Sequence, residues 1–284
     1  MKFIPLHSHH LKIFFTLCAL FFGSFETALA NPLIVAGSST MMISLIEPTF
    51  TKLTENLHTQ IQLVSIGSTS GLQMLINGQA DVAALSTPLT NVTLPHPLSP
   101  PLEEHPVGVD HLVIIVHPEN SVTKLTDSQL KDIYTGKIAN WQEVGGANQP
   151  ITIVTSHPGS GTRLVVQKEI MDHADYPKNT INTDSTVTEL GLVSKLTGGI
   201  GAVSESFLKL YPDRVRPLET RKIVRPFLLI TRGKMKETVW KFIQYFQKKN
   251  TLSLEVEPLF HHDRKIIVYS CFNNFHGWRL KCRS

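Results

Sequence analysis

Cysteine is nearly absent from this chain: three occur in 284 residues. Cys18 falls in an apolar N-terminal run, and Cys271 and Cys282 sit close to the C-terminus. A disulfide between the last two and a pair of free thiols both remain open, but either way they tie only the tail and not a core. Charge of one sign is also lacking. Twenty-seven Lys and Arg against 23 Asp and Glu leave a formal net charge of +4, too little to argue for nucleic acid. Aromatics make up 8% of the residues and are not interleaved with basic residues as a base-stacking platform requires. Beyond residue 30 no apolar run is long enough to cross a bilayer. The Gly-x-Ser-x-Gly signature of a nucleophile elbow fails at Ser160, because Pro158 stands at the first glycine position; the chain does not read as an enzyme. Neither Gly136-Lys137 nor Gly191 to Lys195 has phosphate-loop spacing.

The thirteen histidines form no i, i+4 pair on a helix of the mature chain. Their densest group, His261, His262 and His276 with Cys271 and Cys282, reads as a solvated tail and not as a zinc site. No metal and no cofactor are expected.

What is present begins with a leader. Lys2 and Lys12 flank a basic start, Ile13 to Phe25 is almost unbroken apolar sequence, and Ala28-Leu29-Ala30 supplies small residues for cleavage. Residues 1–30 are expected to be a secretory signal peptide. An uncleaved anchor is the alternative, but the run is short for a bilayer span. Leu17 before Cys18 is too large for a lipoprotein cleavage site. A periplasmic, monomeric protein is expected.

From Asn31 onward, β-branched runs alternate with helical periodicity, which predicts an α/β protein with largely parallel sheets. Three runs end in Gly/Ser/Thr clusters: Gly37-Ser38-Ser39-Thr40, Gly67-Ser68-Thr69-Ser70-Gly71 and Gly159-Ser160-Gly161-Thr162-Arg163. Each cluster opens a predicted helix. A strand, a Gly/Ser turn and a helix start gather unpaired backbone N–H groups, hydroxyls and the positive end of a helix dipole, which together favour an anion. Pro48 predicts a kink in the helix after the first cluster. Thr126 and Gln129 have capping-box spacing. The stretch from Thr87 to Pro106, with six prolines, reads as a loop. Asp81 is expected to pin its neighbouring strand. The pattern fades after about Leu252.

These clusters stand among stretches that resemble the phosphate-binding subunits of bacterial ABC transporters. Those are periplasmic solute-binding proteins with the two-lobed type II, or Venus-flytrap, fold. The matching stretches are GSST at Gly37, GSTSGLQMLINGQADVAALSTPL from Gly67 and LTDSQLKDIYTGKIANWQEVGG from Leu125. PGSGTR from Pro158, GGIGAVS from Gly198 and RPFLLITRG from Arg225 complete them. The resemblance implies a hinge and a central cleft. One lobe would hold 31–110 plus 204–250 and the other 111–203, with an atypical tail at 251–284. It implies capture of inorganic phosphate for a membrane ABC permease, with Ser39, Thr40, Ser68, Thr69, Ser160, Gly161, Thr162 and Arg163 at the anion. Two positions depart from the pattern: Thr87 stands where well-known members carry an Asp that accepts the proton of hydrogen phosphate, and Ser156 where an Arg often sits. The selectivity mechanism therefore does not carry over. Arg163 and a protonated His157 are the candidates for the missing charge. Another tetrahedral oxyanion such as sulfate, or an anion-binding role outside transport, remains the alternative.

Overall fold

The computed structural model describes residues 31–94 and 97–250. The expected leader and the tail with Cys271, Cys282 and its histidines lie outside the described residues. β1 (Leu33–Gly37) runs into the first Gly/Ser cluster. The chain then winds through α1 (Ser39–Met41), a π-helical turn Met42–Ile46, a 3-10 turn Glu47–Thr49 and α2 (Phe50–Leu57). Pro48 accounts for the change of winding. It has no N–H to give a carbonyl one turn back, and a tight turn takes it in its first positions, where none is needed. β2 (Ile61–Ser65), α3 (Ser68–Ile76), β3 (Val82–Leu85) and β4 (Leu102–Val116) follow. Next come α4 (Asp127–Tyr134), β5 (Thr152–Ser156), α5 (Gly161–Glu169) and β6 (Ile181–Thr183). α6 (Thr186–Val193), β7 (Gly199–Ser204), α7 (Glu205–Leu210), β8 (Arg216–Pro217), β9 (Ile223–Arg232) and α8 (Glu237–Asn250) complete the described chain.

The strands form one curled sheet in the order β2-β1-β3-β9-β4-β7-β5-β6, with β8 beside β4. Its two ends are parallel: β1 lies between β2 and β3, and β5 between β6 and β7. Its middle is antiparallel, which corrects the expectation of largely parallel sheets. The seam exists because two long strands run through both ends. β4 pairs β9 from Leu102↔Arg232 to Leu112↔Ile223, then pairs β7 from Leu112↔Ser204 to Val116↔Ile200. The proline-rich stretch is also corrected, since β4 starts inside it at Leu102. Pro106 is tolerated because the register slips between Pro106 and Gly108, where a missing N–H does least harm.

Two main apolar cores flank the seam. Leu33, Val35, Met41, Ile46, Leu53, Phe227, Phe242 and Phe246 pack at the β1 end, beneath the helices from α1 to α2 and α8. Leu112, Ile114, Trp141, Val165, Ile170 and Ile200 pack at the β5 end. Local signals behave as read: Thr126 and Gln129 form a capping box on α4, and Asp81 Oδ2 accepts the Ile34 N–H at 2.9 Å. Among the described residues no helix is long and apolar enough to cross a membrane.

Candidate functional site

The three Gly/Ser turns meet. Gly37 leaves β1 with φ +144°, and a Cβ there would stand 2.1 Å from the Ala84 carbonyl oxygen, so only glycine lets the turn lie against the end of β3. Ser38 then donates its N–H to that same oxygen at 2.8 Å. Its Oγ accepts from the Met41 N–H at 3.3 Å, capping α1, and donates to Ser86 Oγ at 2.8 Å. The second turn joins through Gly67, whose N–H donates to the Gly37 carbonyl at 2.9 Å. Ser68 Oγ accepts from the Ser86 N–H at 3.3 Å.

The third turn arrives from the other end of the sheet. A Cβ on Gly161 would lie 2.5 Å from Ser86 Oγ and 2.6 Å from Ser68 Oγ, so the first turn of α5 presses its bare backbone onto those hydroxyls. The Thr69 N–H donates to the Gly159 carbonyl at 3.0 Å. Thr40 Oγ1 faces Thr186 Oγ1 at 3.4 Å, the long end for two hydroxyls. Ser160 stands at the N-cap of α5, buried, with no capping bond from its side chain. Ser38, Thr40, Ser68, Ser86, Ser160 and Thr162 are all buried; Ser39 and Thr69 are half-buried. The N-terminal ends of α1, α3 and α5 thus open onto one cluster of hydroxyls and N–H groups.

A cation lies beneath them. Arg225, on β9, has a fully buried side chain (0% exposed) beside Asp110 on β4 (5%). Its Nε donates to Asp110 Oδ2 at 2.7 Å and its Nη1 to Thr162 Oγ1 at 2.9 Å. The other carboxylate oxygen, Oδ1, accepts from Ser204 Oγ at 2.6 Å. Nη2 is buried and meets no acceptor in the protein. A buried guanidinium N–H without a partner is costly, and here it sits on the same side chain that holds Thr162 of the third cluster.

Neither Ser38, Ser86, Asp110 nor Arg225 was among the expected site residues. Their signals were faint: Arg225 and Asp110 are single charges in apolar strand sequence, a pattern that buried charges need partners to sustain. Arg163, by contrast, turns elsewhere. Its Nη1 donates to the Ser156 carbonyl at 3.2 Å and to Asn182 Oδ1 at 2.5 Å, and its guanidinium carbon stands 4.4 Å from the centre of the Tyr176 ring. Burial lowers its pKa. His157 lies over Gly67 at the rim, its Nδ1 2.9 Å from the Pro158 carbonyl oxygen.

A second buried carboxylate lies below the third turn. Glu189 Oε2 accepts from Ser156 Oγ at 2.6 Å and Oε1 from the Ala202 N–H at 2.8 Å. Burial pushes its pKa up to about 7, against the pull of those bonds and of Arg225. Among the described residues no group of His, Cys, Asp and Glu could hold a metal ion. The cluster is donor-rich and suited to a small anion.

Comparison with known proteins points the same way. Residues 26–250 match the PBP superfamily domain. The phosphate-binding protein PstS of Bacillus subtilis is 30% identical over 239 residues, covering 82% of this chain and 76% of that protein. A PstS of Staphylococcus epidermidis is 28% identical over 183 residues, covering 63% of this chain and 53% of that protein. Among solved structures, a putative phosphate ABC transporter substrate-binding protein with bound phosphate, from Clostridium perfringens, has a TM-score of 0.67 at 27% identity, over 76% of this chain and 92% of that one. An ABC-type phosphate transport receptor from Vibrio cholerae has a TM-score of 0.59 at 25% identity, over 77% and 94%.

Proposed function

This chain belongs to the PBP superfamily, among the PstS-like phosphate-binding proteins, with their type II binding-protein fold; from that premise we propose that it captures inorganic phosphate and hands it to a membrane ABC permease. It catalyses no reaction; ATP hydrolysis belongs to partner subunits. In this reading residues 31–110 plus 204–250 form one lobe and 111–203 the other, and β4 with β9 is the hinge ribbon between them. The protein reaches the periplasm by means of the leader in residues 1–30 and works there as a monomer.

The observation that carries the reading is Arg225: a buried guanidinium with an unpartnered Nη2, tied through Thr162 to the start of α5. Phosphate is held from one lobe by the N–H and hydroxyl groups of Ser39, Thr40 and Ser68 and by the hydroxyl of Thr69, whose N–H is taken by the Gly159 carbonyl, and from the other by Ser160, Gly161 and Thr162. Arg225 takes the charge-balancing role first sought in Arg163, whose guanidinium is engaged with Ser156, Asn182 and Tyr176. Hydrogen bonds to a charged group contribute about 1.5–3 kcal/mol each. Micromolar affinity needs about 8 kcal/mol, so a handful of these donors suffices after the costs of closure. Burial of the cluster strengthens each bond by excluding water.

Calorimetric titration of the mature protein with phosphate is the test. Micromolar or tighter binding is expected, weakened at least about tenfold, or 1.4 kcal/mol, by Ser160→Ala with Thr162→Ala. Absence of phosphate binding by the unmodified protein overturns the proposal.

A further inference from the structure

The first residue of α6 faces the first Gly/Ser cluster. Thr186 and Thr40 are both buried, each 1% exposed. Their Oγ1 atoms stand 3.4 Å apart, and neither oxygen has another hydrogen-bond partner among the described residues. The next turns face each other as well: Ile43, three residues after Thr40, packs against the apolar cluster that holds Leu190 and Val193 of α6.

Contacts on both sides place this pair at the site. On one side, Ser38 caps α1 and meets Ser86 Oγ, onto which Gly161 is pressed. Thr162, beside Gly161, accepts from Arg225. On the other side, Glu189 lies three residues after Thr186 and shares its face of α6. Glu189 accepts from Ser156 Oγ, at the foot of the third turn, and feels the charge of Arg225. The contacts therefore form a closed ring, from Ser38 through Ser86, Gly161, Arg225 and Glu189 to Thr186, and back through Thr40. The unpartnered Nη2 of Arg225 belongs to the same ring.

Donors outnumber acceptors here. Two hydroxyls in contact use one proton between them, so at least one of the Thr40 and Thr186 protons has no acceptor in the protein. Ser185 Oγ takes the Thr188 N–H, which leaves the N–H groups of Thr186 and Val187 without an acceptor among the described residues. Glu189 does not supply one, because its two oxygens already accept from Ser156 and Ala202. A buried donor without an acceptor is costly. A direct hydroxyl pair settles near 2.7–2.8 Å, so about 3.4 Å leaves each hydroxyl able to turn to a third group. We propose that Thr186 is a further ligand of the bound anion, its hydroxyl donating to an oxyanion oxygen beside the one served by Thr40. This deepens the reading of the cluster as an oxyanion site and rests on it. Thr40 and Thr186 come from opposite lobes in that reading, so the anion draws the two helices together as the cleft closes.

A double-mutant cycle separates this role from a mere contact between lobes. Calorimetry with phosphate is run on the unmodified protein, Thr186→Val, Thr40→Val and the double variant. If each hydroxyl serves the anion, the losses multiply; if the hydroxyls serve only each other, either substitution breaks their one bond and the second adds nothing. Thr186→Val is expected to weaken phosphate at least about fivefold, and the double variant at least about fivefold beyond either single one. Thr186→Ser keeps the donor and is expected to stay within about threefold of the original. The ligand-free melting temperature reports folding; where a valine does not fold, alanine takes its place in the cycle. The inference is overturned if removing the Thr186 hydroxyl leaves the affinity unchanged, or if the double variant binds no more weakly than the weaker single one. If the unmodified protein binds no phosphate, it is the proposed function that fails, and this inference falls with it.

Discussion

Arg225 shows how one residue can do several jobs through fixed geometry. A guanidinium is a planar fork of five donors; here one edge pairs with Asp110, one nitrogen holds Thr162, and Nη2 is left over. A lysine has a single nitrogen on a flexible stem and cannot reach these positions together. Arg225→Lys is expected to keep an ion pair with Asp110, to stay folded, and to lose at least about tenfold in phosphate affinity. Circular dichroism would report the fold and calorimetry the affinity; an unchanged dissociation constant would mean that the anion draws its charge from elsewhere. Asp110→Asn is a different perturbation, because it leaves a buried cation without its partner, typically worth about 3–5 kcal/mol of stability. A fall in melting temperature with ligand absent would reveal it. The sequence could not single out this arginine. Arg163 drew attention because it adjoins a cluster in the chain, yet its side chain leaves that cluster for the Tyr176 ring. Arg225 lies far along the chain and reaches the cluster only through the pairing of β9 with β4.

At the scale of elements, the strand–turn–helix units were legible because their causes are local. The Gly/Ser composition of each turn and the Thr126–Gln129 box are decided within a few residues, and the structure has them where the pattern puts them. The first nine residues of β4, Leu102 to Asp110, were not legible, because what makes them a strand is a partner more than a hundred residues later in the chain. Convergence of the turns was also beyond a one-dimensional reading; it depends on the sheet bringing α5 against Ser68 and Ser86. That contact has its own test. Gly161 is the first residue of α5, where alanine loses less backbone freedom on folding than glycine does. A Cβ there nevertheless collides with Ser86 Oγ and Ser68 Oγ. Gly161→Ala is thus expected to leave the ligand-free melting temperature within a few degrees of the original while cutting phosphate affinity at least about tenfold. Equal affinity would show that the two ends of the sheet need not approach this closely to hold the ligand.

For the whole molecule, the antiparallel seam of β4 and β9 joins two apolar cores, and both buried carboxylates lie close to it: Asp110 on β4 itself, and Glu189 bonded to Ala202 of β7, the strand next to β4. Glu189 links overall stability to pH. Burial raises its pKa from the ordinary 4.5 to about 7, opposed by the Ala202 N–H, Ser156 Oγ and the charge of Arg225. The charged group facing it from α5 is Arg163, itself partly desolvated. The phenols of Tyr134 and Tyr176 on the same side are raised by burial and stay neutral. The folded protein therefore holds the Glu189 proton more tightly than the unfolded chain does. Its contribution to stability is fully present below the unfolded value, declines as pH rises between the two, and is gone above about 7. Glu189→Gln removes the titration and retains an oxygen for the Ala202 N–H and an amide that Ser156 Oγ can accept from. Melting curves of the ligand-free proteins should then diverge with pH. Between about pH 5 and pH 8 the original is expected to lose on the order of a few kcal/mol relative to Glu189→Gln. Parallel curves across that range would mean that Glu189 is ionised in the folded state throughout, its charge held by Arg225 and Arg163 strongly enough to outweigh its burial.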